Sequence, residues 1–216
     1  AAYVLMLKPD PALEARLDAW IAKIAAAQEP DGYLYTARTI DPANPPRMSG
    51  PARWSNLQDS HELYNVGHLY EGAVAYFKAT GKRALLDVAL KSADFIVKTF
   101  GPGARQLKLV PGHEEVEIGL VKLYRLTVKK KYLDLAKFFL DERGQAATHK
   151  LYGDYCQDHR PVAEQSEAVG HAVRALYMYS GMADVSALTG GRPYGGALDR
   201  LWENVAYKKT YLTGGI

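Results

Sequence analysis

The chain has 216 residues, 48% hydrophobic and 24% charged, the balance of a globular protein with a sizeable core. Its net charge of +3 comes from 27 basic and 24 acidic residues scattered along the sequence, so the basic stripe of a nucleic-acid surface is absent. No apolar stretch is long enough to span a membrane, and the single cysteine, Cys156, excludes a disulfide within the chain, which suits the cytoplasm without excluding the periplasm.

After a short apolar run, Ala2 to Leu7, helical periodicity takes over. Leu13, Leu17, Trp20, Ile21, Ile24 and Ala25 recur at helical steps and predict a helix from Pro11 to Gln28, with Asp10 as its N-cap. Residues 29–58 read as a long loop, broken at Glu29-Pro30-Asp31-Gly32, Asp41-Pro42, Pro45-Pro46 and Ser49-Gly50-Pro51. Tyr33, Leu34, Tyr35 and Trp54 predict that this loop is packed. Three helical hairpins follow, at 60–80 with 83–99, 112–127 with 130–142, and 164–181 with 194–206.

Each first helix begins near a Gly-His dipeptide: Gly67-His68, Gly112-His113 and Gly170-His171. Each ends at a basic or glycine-rich turn: Thr80-Gly81-Lys82-Arg83, Thr127-Val128-Lys129-Lys130 and Thr189-Gly190-Gly191-Arg192. Leu86-Asp87-Val88-Ala89 and Leu133-Asp134-Leu135-Ala136 open two of the second helices, with Ala197-Leu198-Asp199-Arg200 a looser third copy. No strand pairs emerge, so the expected fold class is all-α.

The Gly-His dipeptides stand 45 and 58 residues apart, a spacing shared by open solenoids and closed α/α toroids. Solenoids keep a constant period and short connections. Here 29–58, 100–111 and 143–163 are long and irregular, while the turns at the opposite ends are short. That asymmetry predicts a partial (α/α)6 barrel of helical hairpins with variable loops around a site at one end. The roughly seven helices fall short of a full ring, so residues 1–216 are expected to be a single, incomplete α/α-barrel catalytic domain.

In such a ring the helix starts surround one mouth. His68, His113 and His171 are therefore expected to converge, and neutral imidazoles, which both donate and accept, suit sugar hydroxyls. His61, one heptad before His68, lies on a similar face. The bland alternative for each is a satisfied helix-start or core histidine. His61-Glu62-Leu63-Tyr64-Asn65 misses the zinc-protease pattern, because Asn65 stands where the second histidine is needed. His113 with Glu117, and Glu167 with His171, have the spacing of helix-surface pairs or of a metal-ligand pair. No zinc set is complete, and no metal site is assigned. Cys156 with His159 reads either as a nucleophile pair or as a loop cysteine without a special role. Glu62, Glu114, Glu164 and Glu167 are acidic candidates near the mouth, none singled out as acid or nucleophile. Tyr33, Tyr35, Tyr64, Tyr70, Tyr152 and Tyr155 offer flat polar-edged surfaces, whereas Tyr76, Tyr124 and Tyr177 read as packing.

Six motifs then carry a resemblance. Pro30-Asp31-Gly32-Tyr33-Leu34, His61-Glu62-Leu63-Tyr64-Asn65 with Gly67-His68-Leu69, and Pro111-Gly112-His113-Glu114-Glu115 resemble glycoside hydrolase family 127. So do Asp158-His159-Arg160-Pro161-Val162 with Glu164-Gln165, Val169-Gly170-His171-Ala172-Val173-Arg174, and Tyr211-Leu212-Thr213-Gly214-Gly215-Ile216. The resemblance implies an (α/α)6 barrel that releases β-L-arabinofuranose or a related sugar with retention of configuration. It implies a zinc-bound cysteine thiolate as nucleophile, further cysteines and a glutamate as zinc ligands, and a separate glutamate as general acid/base. It places those residues beyond Ile216 and further sequence before Ala1, so this chain is expected to be the middle of the barrel and inactive alone. No cofactor is expected in this chain, and zinc is expected in the full-length protein. His68, His113, His171 and, more weakly, His61 inherit sugar binding. The expected partner is a carbohydrate with terminal L-arabinofuranose or a related sugar, with no nucleic acid and no membrane; a homodimer of the full-length protein is compatible with the resemblance. Two other functions fit the helical reading: a sugar epimerase using the histidines for proton transfer, and a non-enzymatic helical-repeat binding module.

Overall fold

In the computed structural model, which describes residues 1–190 and 193–216, the helical signals become nine α-helices among those residues. They are α1 (Ala2–Leu7), α2 (Pro11–Ala27), α3 (Thr36–Thr39), α4 (Glu62–Thr80), α5 (Ala84–Thr99), α6 (Val116–Thr127), α7 (Lys130–Glu142), α8 (Ala172–Leu188) and α9 (Gly195–Asn204). The described residues contain no strand beyond two isolated bridges, Phe100 with Leu107 and Gly153 with Asp158. The fold is all-α, as expected.

Local chemistry sets the helix ends. Asp10 caps α2, its Oδ1 accepting from the Leu13 amide at 2.9 Å. At the other end, the threonine that opens each predicted turn acts as a donor. Thr80, Thr127 and Thr189 each donate a hydroxyl hydrogen bond to the carbonyl four residues back, on Tyr76, Leu123 and Val185. Gly81 then takes the left-handed conformation after α4, and Val128 takes it after α6. The third predicted turn runs into Gly191 and Arg192, which lie outside the described residues.

The hairpins stack in two rows. In the first, α1, α4, α6 and α8 lie side by side; in the second, α2 lies on α5 and α5 on α7, with α9 completing the last hairpin against α8. Tyr70, Ala89, Ala93, Leu120, Leu123, Tyr132, Ala136 and Phe139 fill the space between the rows and are fully buried. Tyr70 and Tyr132 carry their hydroxyls to partners, Ser92 Oγ at 3.0 Å and Asp94 Oδ1 at 2.6 Å. Tyr70 is thus a core residue and not a sugar-facing one.

Two predicted helix starts move. Residues 112–115 stay outside α6, because the Gly112 amide is tied to the Leu57 carbonyl at 2.8 Å. Residues 164–171 stay outside α8, because Gly170 holds a φ of +74° and His171 is the N-cap. At its other end α8 runs past 181 to Leu188, since Met182 and Val185 continue its buried face.

The long loop is packed, as its aromatic residues predict. Tyr33 is fully buried, Trp54 stacks edge-on to it at 5.1 Å, and both meet Phe95. Glu62 at the start of α4 anchors the loop, accepting from the Tyr33 hydroxyl at 2.5 Å, the Ser60 hydroxyl at 2.7 Å and the Trp54 amide at 3.3 Å.

Candidate functional site

The four histidines singled out by sequence meet at one end of the first row. They reach it from different local positions. His61 is the N-cap residue of α4, His68 sits in its second turn, His113 precedes α6, and His171 caps α8. Tyr64 stands among them, its ring centroid 4.5 Å from His68, 4.2 Å from His113 and 5.3 Å from His61. His113 lies 5.6 Å from His61 and 5.9 Å from His171. Tyr177, which by period reads as packing, joins the cluster 5.7 Å from His68 and 5.9 Å from His113. Tyr155 closes the far side, 5.5 Å from His171.

The glycine of each Gly-His dipeptide makes this convergence sterically feasible. A Cβ on Gly67 would lie 1.7 Å from Oε2 of Glu115, one on Gly112 2.1 Å from the Gln58 carbonyl oxygen, and one on Gly170 2.1 Å from that of Asp154. The dipeptide is therefore a place where backbone or a side chain comes in close beside the histidine.

Burial favours the neutral, hydrogen-bonding form of three of these imidazoles, His113, His61 and His68. Burial pulls His113 down to about 4, with the Arg174 guanidinium and the neighbouring imidazoles acting in the same direction. Burial also lowers His61 and His68. Nδ1 of His113 lies 2.8 Å from the Glu114 carbonyl, which can only accept, so Nδ1 carries the proton and Nε2 is left as an acceptor. Nδ1 of His171 accepts a long 3.5 Å contact from the Arg174 amide, which leaves its Nε2–H as a donor.

Beneath the mouth lies a buried polar layer, of which the sequence candidates include Glu114 and Cys156 but neither of its arginines. Arg174 donates Nη1 to the Gly112 carbonyl and to Cys156 Sγ, both at 2.9 Å, and its guanidinium lies over the Tyr155 ring. Arg143 donates to the carbonyls of Cys156 and Pro111, each at 2.7 Å, and stands 3.2 Å from Glu114. Burial raises Glu114 to about 8 against the opposing pull of Arg143. Asp158 ties the neighbouring loop together, accepting from the Gly144 amide at 2.6 Å, the Tyr152 amide at 2.9 Å and His149 Nε2 at 3.0 Å. Arg174 is three residues beyond His171 on the same helical face, the one sequence signal that could have found it.

Several expectations are redrawn. Neither four-residue pair forms: Glu117 turns inward to accept from the Glu115 amide at 3.0 Å, and Glu167 pairs with Lys209 at 3.0 Å. Cys156 and His159 are not a couple either, since Cys156 is buried against Arg174 and His159 faces Asp154 at 3.5 Å. Burial raises the Cys156 thiol. Glu62 is fully used as the loop anchor, and Glu164 and Glu167 are exposed. A groove of about 630 Å³ between the ends of α5 and α7 is lined by none of the histidines.

His68, Glu71 and Glu115 hold ligand atoms within 4.8 Å of one another, the spacing of a metal triad. The Lys122 ammonium already meets Glu71 Oε1 at 2.5 Å, so this charge has its counter-ion without a metal. The zinc implied for the family calls for thiolates, and the residues here do not fit it: the one cysteine is a buried, raised thiol held by an arginine.

The family described as β-L-arabinofuranosidase, GH127 catalytic domain, matches residues 1–216. A non-reducing end β-L-arabinofuranosidase of Bifidobacterium longum subsp. longum is 38% identical over all of this chain and 35% of its own length. A solved GH127 β-arabinofuranosidase superposes with a TM-score of 0.96 at 54% identity, over the whole of this chain and 34% of its own. A GH127 β-L-arabinofuranosidase from Geobacillus stearothermophilus T6 gives a TM-score of 0.90 at 45% identity, over the whole of this chain and 35% of its own. The chain thus spans about a third of the length of these relatives. They do not favour the sugar-epimerase or the helical-repeat reading. Among the described residues, no helix is long and apolar enough to cross a membrane.

Proposed function

The chain belongs to the GH127 β-L-arabinofuranosidase catalytic-domain family, and on that premise we propose that it forms the sugar-binding part of an α/α-barrel domain that releases β-L-arabinofuranose or a related sugar. One observation carries the reading: His61, His68 and His113 close around Tyr64, and His171 lies against His113, at a single mouth. A furanose presents hydroxyls that donate and accept. His113 offers an acceptor and His171 a donor, and the Tyr64 and Tyr177 rings offer flat faces to the sugar's C–H surface. Keeping His113 neutral preserves its Nε2 as an acceptor.

No residue of this chain is assigned the bond-breaking step. Cys156, held by Arg174 with its thiol raised by burial, does not fit the part of a metal-activated nucleophile. This region's contribution is to grip and orient the terminal sugar.

The test is L-arabinose release from a β-L-arabinofuranoside by the full-length protein, with and without a zinc chelator, beside the same protein carrying His113→Ala. Chelator-sensitive release that falls about tenfold or more in the variant, with helicity intact, supports the reading. Equal release by the variant removes His113 from the site. Release of a different sugar replaces the substrate but keeps the chemistry, and no glycoside hydrolysis of any kind overturns it.

A further inference from the structure

Glu115 is the buried group that the sugar-site reading leaves without a task. Its side chain is fully buried and neither carboxyl oxygen has a hydrogen-bond partner. Such a group costs stability unless something else uses it. Oε1 stands 3.2 Å from Nδ1 of His68. Its place exists because residue 67 is glycine: a Cβ there would strike Oε2 of Glu115 at 1.7 Å. Gly67-His68 thus carries the ring and clears the space for the acid beside it. The Glu115 backbone is held as well, its amide bonded to Glu117 Oε2 at 3.0 Å.

The surroundings decide which partner holds the proton. From α4, His68 and Glu71 face the carboxyl; from α6, Glu117 and Lys122; from α8, Tyr177. Lys122, the cation in this set, is engaged by Glu71 at 2.5 Å. Burial first, then Glu71 and Glu117, raise Glu115 to about 10, so it is a neutral acid with one proton to give. Burial meanwhile disfavours a second proton on His68, which leaves one ring nitrogen bare.

We infer that Glu115 is a positioning residue for His68: a small turn of the ring brings Nδ1, 3.2 Å away, into line to accept the carboxyl O–H, which fixes the Nε2–H tautomer and presents that N–H to the sugar as a donor. The inference rests on the sugar-site reading of His68. It makes His68 the counterpart of His113, whose Nδ1–H is spent on the Glu114 carbonyl and whose Nε2 accepts. Two imidazoles that flank the same Tyr64 ring then offer one donor and one acceptor.

The tautomer can be read directly in the full-length protein with ¹⁵N-labelled histidine, His68 being assigned by the signal lost in His68→Gln. A protonated Nε2 with a bare Nδ1 is expected near neutral pH; a protonated Nδ1 overturns the inference. Kinetics give the second arm. Glu115→Leu, which has no donor, should lower kcat/KM by about tenfold or more, chiefly through KM. Glu115→Gln, whose amide can donate in the acid's place, should rescue most of that loss with an unchanged pH profile. In a His68→Gln background, Glu115→Leu should cost less than about threefold. Additive losses would make Glu115 a packing residue only. If His68→Gln is as active as the parent, the sugar-site reading of His68 has failed; if it is impaired while Glu115→Leu matches the parent, only the role of Glu115 has.

Discussion

Gly67 of α4 and Gly119 of α6 meet backbone to backbone: a Cβ on Gly119 would come within 2.5 Å of the Gly67 carbonyl oxygen. This contact draws the two helices together and sets His68 beside the segment that carries His113. Because the clash would be with main chain, no rotamer change relieves it. Gly119→Ala should therefore cost about 1–3 kcal/mol. Gly72→Ala, at an exposed position of α4 with nothing within 4 Å, should instead gain about 0.5–1 kcal/mol. Thermal melts of the two variants check the pair, and an equal response would show that the crossing is not tight.

The hairpins were legible because their signals are local. Thr80, Thr127 and Thr189 end their helices by the same backbone-directed hydroxyl, and the apolar period names the buried faces. The starts of α6 and α8 were not legible, because long-range ties decide them: the Gly112 amide on Leu57, and Gly170 packed against Asp154. The histidine cluster could be anticipated from the repeated Gly-His dipeptide. Glu115 could not, since nothing in the sequence sets it apart from other glutamates, and only the tertiary fold reveals that it and Glu114 are buried. Tyr177 was misread for a related reason, as its helical spacing is that of a core residue and its position at the mouth is tertiary.

Val128 ends α6 with a φ of +58°, a conformation in which a β-branched side chain is strained. Its side chain is 76% exposed, so little packing compensates. Val128→Gly should raise stability by about 1 kcal/mol, and the gain should be a higher Tm with an unchanged denaturant m-value. A loss would mean that the valine side chain has a partner worth more than the strain.

Arg143 is fully buried and braces the floor of the site, bridging the Pro111 and Cys156 carbonyls with Glu114 beside it. Arg143→Met keeps the length but strands two carbonyls and a buried carboxyl, and should cost about 3–5 kcal/mol in urea unfolding. Arg143→Lys should rescue only part of this, because an ammonium cannot reproduce the planar fork between two carbonyls. A loss under about 1 kcal/mol for Arg143→Met would show that the floor relaxes without it.

His113 gives the site a pH signature whose sign can be worked out. Its folded pKa of about 4 lies below the ordinary 6.5, so the unfolded chain takes up a proton at higher pH than the folded one. The neutral imidazole therefore contributes stability that is present above about pH 6.5 and is lost as pH falls toward about 4. Glu114 runs the other way: raised to about 8, it favours the fold below the ordinary 4.5 and loses that contribution as pH rises through 8. The total stability curve mixes the two, so the informative quantity is the difference in Tm between the parent and His113→Gln. That difference should move against the parent as pH falls from about 6.5 to about 4 and be flat above about 7.5. A difference flat across the whole range would place the His113 pKa near its unfolded value and remove the case that burial keeps this ring neutral for hydrogen bonding.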